Sequence, residues 1–199
     1  EFDEALAAYR KAAALEPSPA LEATIARVRE RAREAALPGQ YRAIPERPQA
    51  TRGDLAALLG VRLTAPLGRA PQHQVVVTDV RGHWAESWIQ IVARSGAMEV
   101  YPNYTFQPEA PLRRLGLADA VSRALAVLRP AAAVAAWDAT ALAVSDVPSE
   151  HLAYPAVRRA VASGVLRLDG GAFNLLRPVT GAEVVDVVAR LTALAGARR

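Results

Sequence analysis

An internal repeat constrains the fold of this chain more than any other feature of its sequence. Segments that begin at Val77 and at Val144 align with each other at an offset of 67 or 68 residues. The equivalent pairs are Asp79 with Asp146, His83 with His151, Gly96 with Gly164, Phe106 with Phe173, and Pro111 with Pro178. A shorter segment, 44–63, matches only the closing half of this unit. Two copies and a half in register predict a fold assembled from one repeated supersecondary unit.

Each copy of the repeat has the pattern of a helix, a loop and a second helix. In the first full copy, apolar positions that include Trp84 recur at helical spacing. Gly96 is expected to end that helix in a left-handed conformation. The loop then places Phe106 in the core. The second helix begins at a capping motif, which is clearest at Thr51–Asp54 and Thr180–Glu183.

Two helices are predicted ahead of the repeats. The first covers residues 1–17, and the second covers about 20–36 after a restart at Pro19. The alanines, Tyr9 and Pro17 of the first helix resemble the second helix of a tetratricopeptide repeat. The alternative is an ordinary packing helix. Two stretches rich in proline and alanine, 64–74 and 129–143, are predicted to be connectors.

Composition favours helices and excludes several classes of function. Hydrophobic residues make up 52% of the chain but aromatic residues only 6%, and alanine is the best helix former. The net charge is +4, yet the basic residues are scattered among acidic ones, so no nucleic-acid-binding face is expected. The absence of cysteine excludes disulfides and thiolate metal sites. No apolar run is long enough to span a membrane.

No motif in the sequence indicates catalysis or a cofactor. The chain has no G-x-S-x-G nucleophile elbow, no phosphate-binding P-loop and no dinucleotide fingerprint. Its three histidines lack the spacing of metal ligands. We therefore expect no catalytic residues, no metal site and no cofactor. Because the chain opens at Glu1 without a methionine, we expect a fragment of a longer protein, with any signal peptide or lipid anchor upstream.

Three segments resemble the S-layer homology family, whose repeat reads F-x-D-V-x-G-H-W-A, then G-Y-P-D-G-T-F-x-P, then I-T-R-A-E. The segment Val77–Ala85 fits the opening, Tyr101–Pro108 fits the middle, and Thr51–Asp54 fits the end. The resemblance covers about residues 40–195. It implies a pseudo-threefold bundle that binds pyruvylated cell-wall polysaccharide in grooves between repeats. It also implies that the arginine of the T-R motif is a principal ligand-binding residue.

The resemblance implies five candidate ligand-binding residues: Arg52, Arg114, Asp79, Trp84 and Tyr101. An arginine at the first position of a helix could hold an anionic carboxylate beside unpaired backbone N–H groups. The motif is intact only at Thr51-Arg52, because Arg113-Arg114 replaces it in the second copy and Gly181 stands for the arginine in the third. Structural alternatives stay open: the arginines as ion-pair partners, Trp84 as a core residue and Asp79 as a cap.

We therefore predict an all-α chain in which a tetratricopeptide-like helical hairpin, 1–36, precedes an S-layer homology module, 37–199. The module is divided into a partial first repeat at 37–63, a second repeat at 75–128 and a third at 144–195. The first functional hypothesis is a non-catalytic, extracytoplasmic envelope module that binds acidic cell-wall polysaccharide. The alternative is a degenerate module that acts as a protein-interaction scaffold. Protein partners are expected on the leading helices or on the repeats.

Overall fold

The fold is helical, as the sequence predicts. A computed structural model describes residues 2–196, with side chains throughout except at positions 3, 30 and 34. Glu1 and residues 197–199, which fall in the first and last predicted segments, lie outside the described residues. Within 2–196 the regular structure is helical apart from three isolated bridges, which confirms the all-α class. A 3₁₀ turn covers Ile44–Glu46, and the α-helices are α1 Phe2–Leu15, α2 Pro19–Ala35, α3 Gly39–Arg42, α4 Arg52–Arg62, α5 Thr64–Arg69, α6 Glu86–Arg94, α7 Arg114–Leu128, α8 Ala131–Asp138, α9 Tyr154–Ala162 and α10 Gly181–Gly196.

The chain divides into two compact units, and the first ends at Arg42. In this unit α1 and α2 pack against each other, with Leu6 and Ile25 buried. Pro19 occupies the first position of α2, which suits proline because the N–H there has no partner within the helix. Phe2 remains 42% exposed. Both helices lie where the sequence predicts them, and their tetratricopeptide character stays a prediction.

The second unit, which begins at Ala43, is organised around a closed ring of three backbone hydrogen bonds. The N–H of Ala50 donates to the carbonyl of Val179 (2.8 Å), that of Val179 to Leu112 (3.1 Å), and that of Leu112 back to Ala50 (2.8 Å). Each of these residues lies two positions before the start of a long helix: α4, α7 or α10. The ring therefore relates the three repeats by a pseudo-threefold axis.

The helices pack between repeats in a regular order. The opening helix of the second repeat, α6, packs on α4 of the first, and α9 of the third packs on α7 of the second. The closing helix α10 packs on α4 and on the 3₁₀ turn. In this unit that turn stands where an opening helix of the first repeat would otherwise contact α10. The buried side chains of α4, α7 and α10, such as Leu55, Leu117 and Val184, form the centre of the core.

Gly181 fits this altered contact because it has no side chain. A Cβ atom at this position would lie 1.7 Å from the carbonyl oxygen of Ile44. The N–H of Gly181 also donates to the carbonyl of Arg47 at 2.9 Å. The glycine that replaces arginine in the third motif is therefore required by the close approach of the 3₁₀ turn.

Two glycines end the opening helices of the second and third repeats, and the conformation of Gly96 confirms the sequence prediction. Gly96 has φ 74° and follows the end of α6, as expected of a left-handed cap, and Gly164 repeats this after α9 with φ 76°.

The segments 64–74 and 129–143 are not the simple connectors that the sequence predicts, because they contain α5 and α8. The three prolines are compatible with the helices: Pro66 lies in the first turn of α5, Pro71 follows its end, and Pro130 precedes α8. The alanine run of α8 favours a helix after that proline.

Candidate functional site

The first residues of α4, α7 and α10 occupy equivalent positions at the contacts between repeats. The backbone N–H of Arg52 donates to the carbonyl of Ala110 at 3.0 Å, and that of Arg114 donates to Arg177 at 3.0 Å. The N–H of Gly181 makes the third equivalent bond, to Arg47. Because the three backbone bonds are equivalent, the side-chain contacts at the three positions can be compared directly.

Arg52 inserts its guanidinium group into the loop of the second repeat. Its Nε donates to the carbonyl of Phe106 at 2.9 Å, and its Nη2 donates to that of Glu99 at 2.8 Å. The guanidinium carbon lies 4.8 Å from the ring centre of Tyr101 and 4.7 Å from that of Phe106, within the range of cation–π contacts. Burial lowers the pKa of Arg52 from its ordinary value, but arginine stays protonated in proteins. Within the described residues, its Nη1 has no hydrogen-bond partner.

Arg114 repeats this geometry in the loop of the third repeat but is closed off from solvent. Its Nε donates to the carbonyl of Phe173 and its Nη2 to that of Arg167, both at 2.6 Å. The guanidinium carbon lies 4.5 Å from the ring centre of Phe173. Its Nη1 binds Oε1 of Glu183 at 2.7 Å, and the residue is 5% exposed. Burial lowers the pKa of Arg114, and the charge of Glu183 opposes that shift.

The two arginine sites differ at the third residue of the next helix. Glu183 is the third residue of α10, whereas Gly116 is the third residue of α7. Arg177 donates Nη2 to both carboxylate oxygens of Glu183, at 2.7 and 2.9 Å. The residue that corresponds to Arg177 at the Arg52 site is Ala110. The Arg114 site thus contains a carboxylate and a second guanidinium. The Arg52 site has glycine and alanine at the matching positions.

The two predicted capping boxes, at Thr51 and at Thr180, also differ in how their acidic residue is used. At Thr51 the predicted box is complete: the N–H of Thr51 donates to Oδ2 of Asp54 at 2.9 Å, and the N–H of Asp54 donates to Oγ1 of Thr51 at 3.2 Å. Arg47 lies 3.4 Å from the same carboxylate, in the place that Arg177 has in the third repeat. At Thr180 only the hydroxyl half forms, because the carboxylate of Glu183 binds the arginines instead.

A groove of about 590 Å³ opens beside Arg52, and we call it the Arg52 groove. Its lining includes Arg52 and Tyr101, Arg113 with the first turn of α7 at Leu115 and Gly116, and residues 151–153 of the third repeat. The cations of Arg52 and Arg113, together with aromatic and aliphatic side chains, can accept an anionic group attached to a larger molecule.

Two acidic residues on the edge of the Arg52 groove are already paired. Arg123 binds Glu99 through Nη2 at 3.0 Å and Asp119 through Nε at 2.9 Å. Because both pairs are partly exposed, each contributes little to stability, but each offsets a negative charge near the groove. The guanidinium of Arg52 has no carboxylate within ion-pair distance among the described residues. The groove therefore presents the positive charges of Arg52 and Arg113.

Asp79 lies outside the groove and holds the loop of its repeat. Its Oδ1 and Oδ2 accept the N–H groups of Phe106 and Gln107, both at 2.7 Å. Asp146 does the same for Phe173 and Asn174, at 2.7 and 2.6 Å. These bonds lower the pKa of Asp146, with the Phe173 bond as the largest cause. The two aspartates act as caps of their loops, and this matches the structural alternative.

Trp84 also lies away from the residues that line the groove. It is half-buried, with its ring centre 5.6 Å from that of His83 and 6.1 Å from that of Trp88. His83 accepts the N–H of Ala85 at Nδ1 (3.1 Å), and its Nε2 contacts Oε1 of Glu109 at 2.8 Å. The aromatic pair thus packs at the start of α6. The residue equivalent to Trp84, Leu152, is the one that lines the groove.

Of the five candidate residues, Arg52 and Tyr101 come together in one groove, whereas Arg114, Asp79 and Trp84 lie elsewhere. Their ligand-binding roles stay predictions. Sequence reasoning missed the contribution of Leu152 and the pairing of Glu183 with Arg114. The signal for that pairing is the alignment of the third helical positions, Asp54, Gly116 and Glu183.

The described residues show neither a metal cluster nor a membrane span. No group of three or more His, Cys, Asp or Glu within them is placed to hold a metal ion. None of the helices within 2–196 combines the length and the apolar character needed to cross a bilayer.

Comparison with known proteins supports the resemblance for the second repeat. Residues 78–115 match the S-layer homology domain family. A cellulosome-anchoring protein of Acetivibrio thermocellus is 27% identical over 119 residues, which cover 58% of this chain and 24% of that protein. The S-layer homology match contains Asp79, Trp84, Tyr101 and Arg114. Arg52 lies outside it and is related to it by the pseudo-threefold axis.

Proposed function

We propose that this chain is a non-catalytic envelope module that binds an acidic cell-wall polysaccharide through the Arg52 groove. The observation that carries the proposal is the set of hydrogen bonds made by the Arg52 guanidinium. Two of its nitrogens are fixed by backbone carbonyls, and the third has no protein acceptor among the described residues. A carboxylate on a sugar, such as a pyruvyl ketal, matches this arrangement because charge-assisted bonds to guanidinium are short and strong.

The shape of the groove supports a sugar ligand. The ring of Tyr101 lies beside the Arg52 cation, and Leu115 and Leu152 add aliphatic side chains to the lining. Sugars combine polar hydroxyl groups with apolar ring faces, so such a mixture suits them. The anchoring role is supported by the S-layer homology match and by the similarity to a protein named for anchoring a cellulosome. The envelope outside the cytoplasm is the corresponding location, and α1 and α2 would be available to a protein partner.

The first test is co-sedimentation of the purified chain with cell-wall sacculi from its own organism, before and after mild acid removes acidic substituents. We expect binding to intact sacculi and loss of binding after acid treatment. Arg52→Ala should weaken binding by at least about tenfold, or roughly 1.4 kcal/mol, because it removes the cation whose Nη1 is open to a ligand and leaves only Arg113 in the groove. Arg81→Ala, which removes the same charge from an exposed turn, should bind like the unaltered chain.

Tryptophan fluorescence melting provides the folding control for this test, because Arg52 also holds the loop at Phe106. All three tryptophans lie in the second unit, so the signal reports on that unit alone. If a well-folded chain does not pellet with intact sacculi, the anchoring proposal is wrong. Equal losses in Arg52→Ala and Arg81→Ala would show that binding is only a general charge effect.

A second function, a protein-interaction scaffold, is favoured by the surface of the third repeat. Leu152 is 99% exposed and Leu176 is 68% exposed. Large contiguous apolar patches mark protein contact sites, and these two leucines are candidates for such a patch on the third repeat. The test is cross-linking in intact envelopes with Leu176→Ser, because Leu176 is exposed and does not line the Arg52 groove. Loss of a specific cross-linked complex, with sacculus binding unchanged, would favour the scaffold over the anchor.

A further inference from the structure

We infer that Glu183 occupies the Arg114 site as an internal carboxylate, and that Gly116 keeps the equivalent Arg52 site open to an external one. The inference rests on the proposed function, because it assigns the residue pair that decides which of two similar grooves takes the ligand. It limits the module to one carboxylate-binding site, although the sequence contains two arginines at the motif position.

The Arg114 site shows how a carboxylate binds in this framework. Oε1 of Glu183 accepts Nη1 of Arg114 at 2.7 Å and Nη2 of Arg177 at the same distance. Its second oxygen accepts Nη2 of Arg177 at 2.9 Å. One carboxylate is thus shared by two guanidinium groups, and Arg114 is nearly inaccessible to solvent. An outside anion would have to displace this side chain.

The Arg52 site has the same frame without the internal carboxylate. Its Nε and Nη2 bind the carbonyls that correspond to the partners of Arg114. Gly116 replaces Glu183, and Ala110 replaces Arg177. Arg52 and Gly116 line the same groove, so the equivalence of the two sites leaves the Nη1 of Arg52 without the carboxylate that Arg114 binds.

A side chain at position 116 would fit. A Cβ there would meet only Cδ1 of Leu112, at 3.5 Å, which is an ordinary contact. The residue lies in the first turn of α7, where an acidic side chain is favoured by the helix dipole. A glutamate at 116 should therefore be tolerated and should reach Arg52 as Glu183 reaches Arg114.

An internal carboxylate competes effectively because it is already attached. A tethered group has an effective concentration in the millimolar range or above, so a weakly binding free carboxylate cannot replace it. This consideration predicts that, in this module, ligand occupancy depends on whether a carboxylate at the third helical position pairs with the arginine, and not on the arginine alone.

The test follows the guanidinium Nε–H signals of Arg52 and Arg114 by NMR during titration with sodium acetate. Sodium chloride at equal ionic strength is the control for screening. In the unaltered chain we expect a saturable shift at Arg52 and none at Arg114. In Gly116→Glu the Arg52 response should weaken at least about tenfold, while Gly116→Gln, of equal size, should respond like the unaltered chain. In Glu183→Ala a response should appear at Arg114.

The outcomes separate this inference from the proposed function. An unchanged Arg52 response in Gly116→Glu, or no Arg114 response in a folded Glu183→Ala chain, would overturn the inference even if sacculi bind. If Glu183→Ala does not fold, Gly116→Glu decides the matter by itself. If both switches behave as expected but intact sacculi do not bind the chain, the inference stands and the polysaccharide proposal fails.

Discussion

Replacement of Gly181 by alanine tests the account of the third repeat most directly. The added Cβ would lie 1.7 Å from the Ile44 oxygen and 2.8 Å from its carbonyl carbon. Carbon–oxygen contacts normally begin at about 3.3 Å, so α10 or the 3₁₀ turn has to move by roughly 1.6 Å. The obstacle is backbone, which cannot rotate away as a flexible side chain would.

The size of the effect follows from the contacts that this movement disturbs. Overpacking against a rigid neighbour costs about 3 kcal/mol. Loss of the Gly181 bond to Arg47 adds about 1 kcal/mol, and the better helix propensity of alanine returns at most about 1 kcal/mol. We therefore expect the free energy of unfolding to fall by about 3 kcal/mol. For a domain of ~150 residues this lowers Tm by roughly 6–12 °C.

Urea unfolding followed by tryptophan fluorescence measures this change in the second unit. The matched control is Gly116→Ala, in the first turn of α7. Its Cβ makes only an ordinary contact, so the gain in helix propensity should stabilise the unit by about 0.5–1 kcal/mol. The two glycine variants should therefore differ in sign. A Gly181→Ala chain within about 0.5 kcal/mol of the unaltered protein would refute the steric argument.

Two further predictions concern the third repeat. The lowered pKa of Asp146 means that its bonds to the loop N–H groups contribute stability above the unfolded pKa of about 3.9. That contribution disappears as pH falls through the lower folded pKa. Asp146→Asn should therefore reduce the loss of Tm between pH 5 and pH 2.5. An unchanged dependence of Tm on pH in this variant would contradict the prediction. Arg159 binds Asp138 through two bonds, at 2.9 and 2.6 Å, and donates to Ser122 at 3.0 Å. Arg159→Ala should therefore speed hydrogen exchange in α8 while α4 keeps its protection, and equal acceleration in both helices would contradict a local role.

Much of the fold could be predicted because the alignment of the repeats shows where their helices begin and end. The alignment of Gly96 with Gly164 fixes where the opening helices end, and the threonine–acid spacing at Thr51 fixes where α4 starts. Local signals of this kind depend on residues close together in the chain. The helix at 131–138 was harder to foresee, because the flanking proline and the alanine run give opposite indications.

The candidate site was predictable only in part, for a reason that the two arginines illustrate. Arg52 and Arg114 occupy the same motif position, so both are predicted as ligand-binding residues, although the motif is intact only at Arg52. What separates them is the residue supplied by the next repeat, Gly116 or Glu183. Glu183 lies 69 positions from Arg114 and reaches it only once the repeats have assembled.

The ring that joins Ala50, Leu112 and Val179 also governs when the second unit can form. In an open solenoid each added repeat docks on the one before it, so folding can advance from one end. Here the bond between Ala50 and Val179 joins the two extremes of the unit, and the ring stays incomplete until the last repeat has been synthesised. Such high contact order slows folding and makes it a single cooperative event. All three repeats therefore have to be present before the ring can close, and removal of any one of them should leave the other two without this closed ring of backbone bonds.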